Sequence, residues 1–143
     1  MQVGDLLRDK GNEVYTVNKD AKIQEAVQIL NLKRVGALIV TDGEGATVGI
    51  VSERDILYQL DAACTNETVQ QIMTPKSRII TAREDQLLED AMAVFTEHRI
   101  RHLPVYRGEE LVGLISIGDV VKFLLAGERL AKHSLLESLK RLQ

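Results

Sequence analysis

The spacing of apolar residues along the chain switches between helical and alternating periods, and the whole series of switches occurs twice. Ile23, Ala26, Val27 and Leu30 fall at helical spacing, and two short apolar runs, 37–40 and 48–51, then flank the turn Asp42-Gly43-Glu44-Gly45. Residues 55–60 return to helical spacing. The second series has Leu87, Leu88, Ala91, Met92 and Phe95 at helical spacing, runs at 102–105 and 111–115, and a closing helix from Asp119. Each series reads as a short strand, an amphipathic helix, a two-strand hairpin and a helix. Each is also preceded by a similar apolar lead-in that predicts a helical turn, Val3-Gly-Asp-Leu-Leu and Val69-Gln-Gln-Ile-Met.

The two series superpose residue by residue. Thr16 meets Thr81, Asp20 meets Asp85, Ala26 meets Ala91 and Val40 meets Val105 at a spacing of 65, whereas Gly49 meets Gly113 and Asp55 meets Asp119 at 64. The extra residue belongs to the turn at 42–45, opposite Arg107-Gly108-Glu109, where hairpin loops change length at little cost. The predicted fold class is therefore α/β (α+β), a β-α-β-β-α unit made twice. Neither unit of this size covers its own apolar face, so the two are expected to pack about a pseudo-two-fold axis with their sheets facing each other and a ligand groove between them. The expected division is 1–66 and 67–126 for the two repeats with their lead-ins, and 127–143 for a C-terminal helical extension.

Composition narrows the function classes. The chain has 143 residues, and its apolar share of 45% comes from aliphatic side chains, with no Trp, three Tyr and two Phe. A formal charge of -3 offers no basic surplus for nucleic acid. The single cysteine, Cys64, allows neither an internal disulfide nor a thiolate metal cage. No stretch approaches the roughly 20 apolar residues of a membrane span, and the first residues lack a signal-peptide pattern, so a cytoplasmic location is expected.

Candidate chemistry centres on Gly49-Ile-Val-Ser52-Glu-Arg54-Asp55 and its counterpart Gly113-Leu-Ile-Ser116-Ile-Gly118-Asp119, each joining a strand to a helix. Ser followed three residues later by an acid is a plain capping box, and spacing by itself favours that reading. The same geometry also suits a nucleotide. A helix N-terminus attracts phosphate, Ser or Arg side chains bind its oxygens, and a carboxylate accepts from adjacent ribose hydroxyls. Duplication does not separate the two, because copying the unit copies either.

A paired β-α-β-β-α unit ending in Gly-apolar-apolar-Ser-x-x-Asp resembles the cystathionine β-synthase (CBS) domain family over nearly the whole chain. The resemblance implies a Bateman module that binds an adenine ligand in two related clefts: AMP foremost, with ADP, ATP, NAD(H) or S-adenosylmethionine as alternatives and no obligatory cofactor. It implies that Asp55 and Asp119 hold ribose and that Ser52 and Ser116 lie near ribose and phosphate. Thr16 and Val17, with Thr81 and Ala82, would meet the adenine, and Ala37 and Leu38, with Leu103 and Pro104, would wall its slot. Arg101 and His102 match positions whose basic side chains reach phosphates across the cleft. Because Gly118 answers Arg54, the cleft of Ser52, Arg54 and Asp55 is expected to bind a phosphorylated ligand more tightly. The resemblance further implies a homodimer that regulates a separate, unidentified partner protein.

Other features are expected to be structural. His98 and His102 have helical ligand spacing, but His102-Leu-Pro-Val reads as a strand, so no metal site is expected. Ser52 lacks the flanking glycines of a hydrolase nucleophile, and Cys64 sits in a polar stretch with no base and orienting group nearby, so no catalytic residue is assigned. Leu135, Leu139 and Leu142 align on one face of the C-terminal segment, which suits a helix packed back on the module or a contact with another chain. The runner-up function is a scaffolding dimer in which the Ser-x-x-Asp motifs only cap helices; a nucleotide-processing enzyme is the third.

Overall fold

The computed structural model describes residues 1–59 and 67–142. Cys64 and Leu60 lie outside them. The elements run α1 (Val3–Lys10), β1 (Thr16–Asn18), α2 (Ile23–Lys33), β2 (Ala37–Thr41), β3 (Thr47–Ser52), α3 (Glu53–Gln59), α4 (Val69–Ile72), β4 (Thr74–Pro75), β5 (Ala82–Arg83), α5 (Leu88–His98), β6 (His102–Arg107), β7 (Glu110–Ser116) and α6 (Ile117–Arg141). They form two compact units. One is Glu13–Ile80; the other joins Met1–Asn12 to Thr81–Gln143.

In the Glu13–Ile80 unit the sheet order is β1-β2-β3-β4, with β1 parallel to β2 and the remaining pairs antiparallel. In the other unit β5 runs parallel to β6, and β6 pairs antiparallel with β7. The repeat extends to its irregularities: each hairpin carries a register shift at the same place, between Val40 and Thr41 and between Val105 and Tyr106. The extra residue of the first hairpin lies in its turn, as expected. There Asp42 Oδ1 accepts from the N–H groups of Glu44 and Ala46, and Gly45 takes the positive φ of 83° that a side chain would resist.

Helix α2 starts with its apolar spacing at Ile23, α5 starts one residue after Leu87, which is its exposed N-cap, and the two stop alike. Arg34 and Arg99 adopt left-handed conformations, φ 55° and 52°. Leu30 O then accepts from the N–H groups of Arg34 and Val35, and Phe95 O from those of Arg99 and Ile100, so carbonyls left open at the helix ends are satisfied. Ala26 and Leu30 bury their stripe of α2 with Val17, Leu38, Val40, Val51, Val69 and Ile72. The matching stripe of α5 buries Leu88, Ala91 and Phe95.

The lead-in helices are exchanged: α1, which precedes the first repeat in sequence, packs in one unit with the second repeat, whereas α4 packs with the first. The backbone bonds holding them are equivalent. Val3 N–H donates to Gln86 O and Gly4 N–H to Glu84 O, while Val69 N–H donates to Ala21 O and Gln70 N–H to Lys19 O, all within 2.8–2.9 Å. Packing therefore groups each lead-in with the repeat that does not follow it, unlike the division at 66 and 67 read from the sequence.

The closing helix and the C-terminal extension, read as separate segments, form one helix of 25 residues that passes through Gly127 without a break. Its neighbours outweigh the roughly 1 kcal/mol that a helical Gly costs relative to Ala. Beyond Gly127 it does not bury its leucines, and Leu130, Leu135, Leu136, Leu139 and Leu142 are all exposed. Among the described residues no helix is long and apolar enough to cross a membrane.

Candidate functional site

Each candidate site is built where the second strand of a hairpin runs directly into a helix. β3 ends at Ser52 and α3 begins at Glu53; β7 ends at Ser116 and α6 begins at Ile117. The turn is pinned from the opposite strand in both units, with Glu53 N–H donating to Gly36 O and Ile117 N–H to Arg101 O, each at 3.0 Å.

The two carboxylates hold the same pose. Ser52 donates its N–H to Asp55 Oδ2 at 2.8 Å and its hydroxyl to the same oxygen at 3.1 Å. Ser116 N–H donates to Asp119 Oδ2 at 2.9 Å, and Asp119 N–H donates to Ser116 Oγ at 3.1 Å. These are the capping-box bonds expected from the Ser-x-x-Asp spacing. In both units the bonds converge on Oδ2, and Oδ1 of each aspartate accepts no hydrogen bond from the described residues. A fixed, half-buried carboxylate with one unengaged oxygen is an acceptor ready for a hydroxyl.

Lys10 distinguishes the two sites. Its Nζ lies 2.7 Å from Asp119 Oδ2 and 2.7 Å from Leu114 O. Burial raises the Asp119 carboxyl, but the Lys10 ammonium and the Ser116 N–H outweigh it and hold the group below its ordinary range. No lysine or arginine among the described residues forms an ion pair with Asp55. Sequence reading missed Lys10, although a signal existed: carrying the lead-in alignment of Val3 with Val69 seven residues further sets Lys10 opposite Lys76. Lys76 follows Pro75 in a 3-10 turn instead of continuing a helix, and it makes no bond to Asp55.

The other sequence-predicted residues fall as follows. Thr16 begins β1 and Thr81 immediately precedes β5, both exposed, and Val17 and Ala82 are buried next to them. Ala37 and Leu38 are buried on β2, and Leu103 and Pro104 on β6. The register pairs Ala37 with Ser52 and His102 with Ser116, so the counterpart of Ala37 is His102 and that of Leu38 is Leu103. The wall residues read as Leu103 and Pro104 are thus one position further along the strand than their opposites. His102 stands across the hairpin from Ser116 in its own unit, next to exposed Arg101; Arg54 is exposed on the first turn of α3. His98 ends α5 and His102 begins β6, so the two share no helix face. Among the described residues no three His, Cys, Asp or Glu side chains group together as a metal site would require.

Comparison with known proteins gives a family match. A family model described as "CBS domain" matches residues 3–62 and 69–126. The mitochondrial CBS domain-containing protein CBSX3 of Arabidopsis thaliana is 32% identical over 149 residues, spanning 98% of this chain and 69% of that protein. The crystal structure of the CBS-domain containing protein ATU1752 from Agrobacterium tumefaciens is similar with a TM-score of 0.79 and 38% identity, covering 85% of this chain and 91% of that one. The CBS domain protein PAE2072 from Pyrobaculum aerophilum, solved complexed with AMP, has a TM-score of 0.72 and 28% identity over 83% of this chain and 89% of that one.

Proposed function

This chain belongs to the CBS-domain family, and from that premise we propose that it is a regulatory module that binds an adenine nucleotide, AMP foremost, at the helix N-termini carrying Ser52 and Asp55 and Ser116 and Asp119. The observation that carries the reading is the shared pose of Asp55 and Asp119, each locked through Oδ2 with Oδ1 left as an acceptor. A vicinal diol supplies the donors such an oxygen lacks, and the helix N-terminus beside it favours a phosphate. A relative solved with AMP supports the choice of ligand. A separate partner protein would read occupancy, which requires the nucleotide to favour one of two states of the module. A homodimer belongs to the same proposal.

One observation favours a scaffolding role instead. The N–H groups of Ser52 and Ser116 are already satisfied by the aspartates, as simple caps require. Thermal melting against AMP, ADP, ATP, NAD and S-adenosylmethionine separates the two. Binding raises the melting temperature selectively and in proportion to ligand concentration. An unchanged melting temperature with all five at millimolar concentration overturns nucleotide binding and leaves the caps.

A further inference from the structure

We propose that Lys10 is a second ligand contact at the Asp119 site, acting with Asp119 Oδ1 to take one hydroxyl of the nucleotide's diol. The inference rests on the nucleotide-binding reading above and deepens it at one of the two sites.

An ammonium has three N–H donors, and Lys10 spends two of them, on Leu114 O and on Asp119 Oδ2. Asp119 spends Oδ2 on Lys10 and Ser116 and keeps Oδ1. One donor and one acceptor therefore remain on two side chains already bonded to each other, and both are partly open to solvent, 27% and 29% exposed. A hydroxyl matches that pair because it donates to the carboxylate oxygen and accepts from the ammonium. The backbone anchor at Leu114 O fixes the lysine before the ligand arrives, so little side-chain freedom is lost on binding.

At the position where the first site has a cation, Arg54, the second has Gly118. Lys10 supplies one from α1, an element 109 residues away along the chain. The Asp119 site is thereby charge-compensated by a residue that has no equivalent bond at Asp55.

The test is calorimetric titration of AMP in an Asp55→Ala background, which isolates the Asp119 site. Lys10→Met is expected to weaken AMP binding about tenfold there, the loss of one charge-assisted hydrogen bond. Lys10→Gln, which keeps an N–H donor, is expected to recover part of that loss. With 2′,3′-dideoxyadenosine monophosphate, which offers no diol, Lys10→Met is expected to change affinity by less than about twofold. Unchanged or tighter AMP binding in Lys10→Met overturns the proposal and makes Lys10 a competitor or a bystander, and an equal loss with the dideoxy ligand overturns it as an indirect structural effect. If Asp55→Ala alone abolishes AMP binding while Asp119→Ala retains it, the Lys10 proposal falls and nucleotide binding stands; if the unaltered chain binds no AMP, both fall.

Discussion

Gly49 and Gly113 occupy equivalent hairpin positions, opposite Val40 and Val105, yet alanine at the two is expected to have different consequences. A Cβ at Gly49 stands 2.5 Å from Met73 Sδ and 2.7 Å from Thr74 O, against the 3.4 Å at which ordinary contact begins. The sulfur can swing away by rotating its side chain. The carbonyl cannot, because Thr74 is in β4 and paired with Ile50 of β3, so the strand itself must give. At Gly113 the close atoms, at 2.6, 3.1 and 3.4 Å, all belong to the Leu7 side chain. Leu7 is buried, but it has other rotamers. Overpacking of this kind typically costs 1–3 kcal/mol, which puts Gly49→Ala at about 3 kcal/mol and Gly113→Ala at about 1–2 kcal/mol. Urea denaturation of both variants measures the difference, and double variants show its origin. Leu7→Ala should relieve most of the clash in Gly113→Ala, whereas Met73→Ala should relieve little of that in Gly49→Ala, because the Thr74 carbonyl remains. Equal costs at the two glycines, or full rescue of Gly49→Ala by Met73→Ala, would refute the reasoning.

Three further outcomes follow from local geometry. Gly127 lies inside α6 with open space around its Cβ position, so Gly127→Ala should stabilise that part of the helix by up to about 1 kcal/mol, read as slower amide exchange along it; faster exchange would contradict this. Arg34 holds a left-handed φ of 55° at the end of α2, so Arg34→Gly should raise stability by about 0.5–1 kcal/mol in urea denaturation, whereas a loss would mean the arginine side chain contributes more than its backbone costs. Asp119 is held below its ordinary carboxyl range in the folded chain, so its stabilising contribution is complete above the unfolded value of about 3.9 and is lost as pH falls through the lower folded value. The stability gap between the parent chain and Asp119→Asn should therefore narrow on acidification below pH 4, and a gap that widens there would reverse the sign of the assignment.

Much of the fold is legible in the sequence because it is written twice. The change of apolar period marks each element, the shift in spacing from 65 to 64 places the added residue in the Asp42–Gly45 turn, and Ser-x-x-Asp announces the capping boxes at Ser52 and Ser116. What was not legible concerns which parts meet. The lead-ins at Val3 and Val69 look like the start of the repeat that follows each, and it takes their backbone bonds, with the packing of Leu7 against Gly113 and of Met73 against Gly49, to assign them to the other repeat. Lys10 escaped notice for the same reason, since its partner Asp119 is remote in sequence and the motif that contains Asp119 has no lysine. Continuity of α6 through Gly127 was hidden because a single glycine reads as a stop, although the helix formers on both sides outweigh it. The offset of the wall residues by one position was legible, since the spacing of 65 already sets Ala37 opposite His102 and Leu38 opposite Leu103, and the strand register agrees with it.

The central claim is that two copies of one carboxylate bind an adenine nucleotide, and calorimetric titration of AMP into the parent chain, Asp55→Ala, Asp119→Ala and the double variant tests it most directly. Each single variant is expected to lose one site while keeping the other, and the double variant to bind no AMP although it melts cooperatively. AMP bound by the double variant with the affinity and stoichiometry of the parent would contradict it.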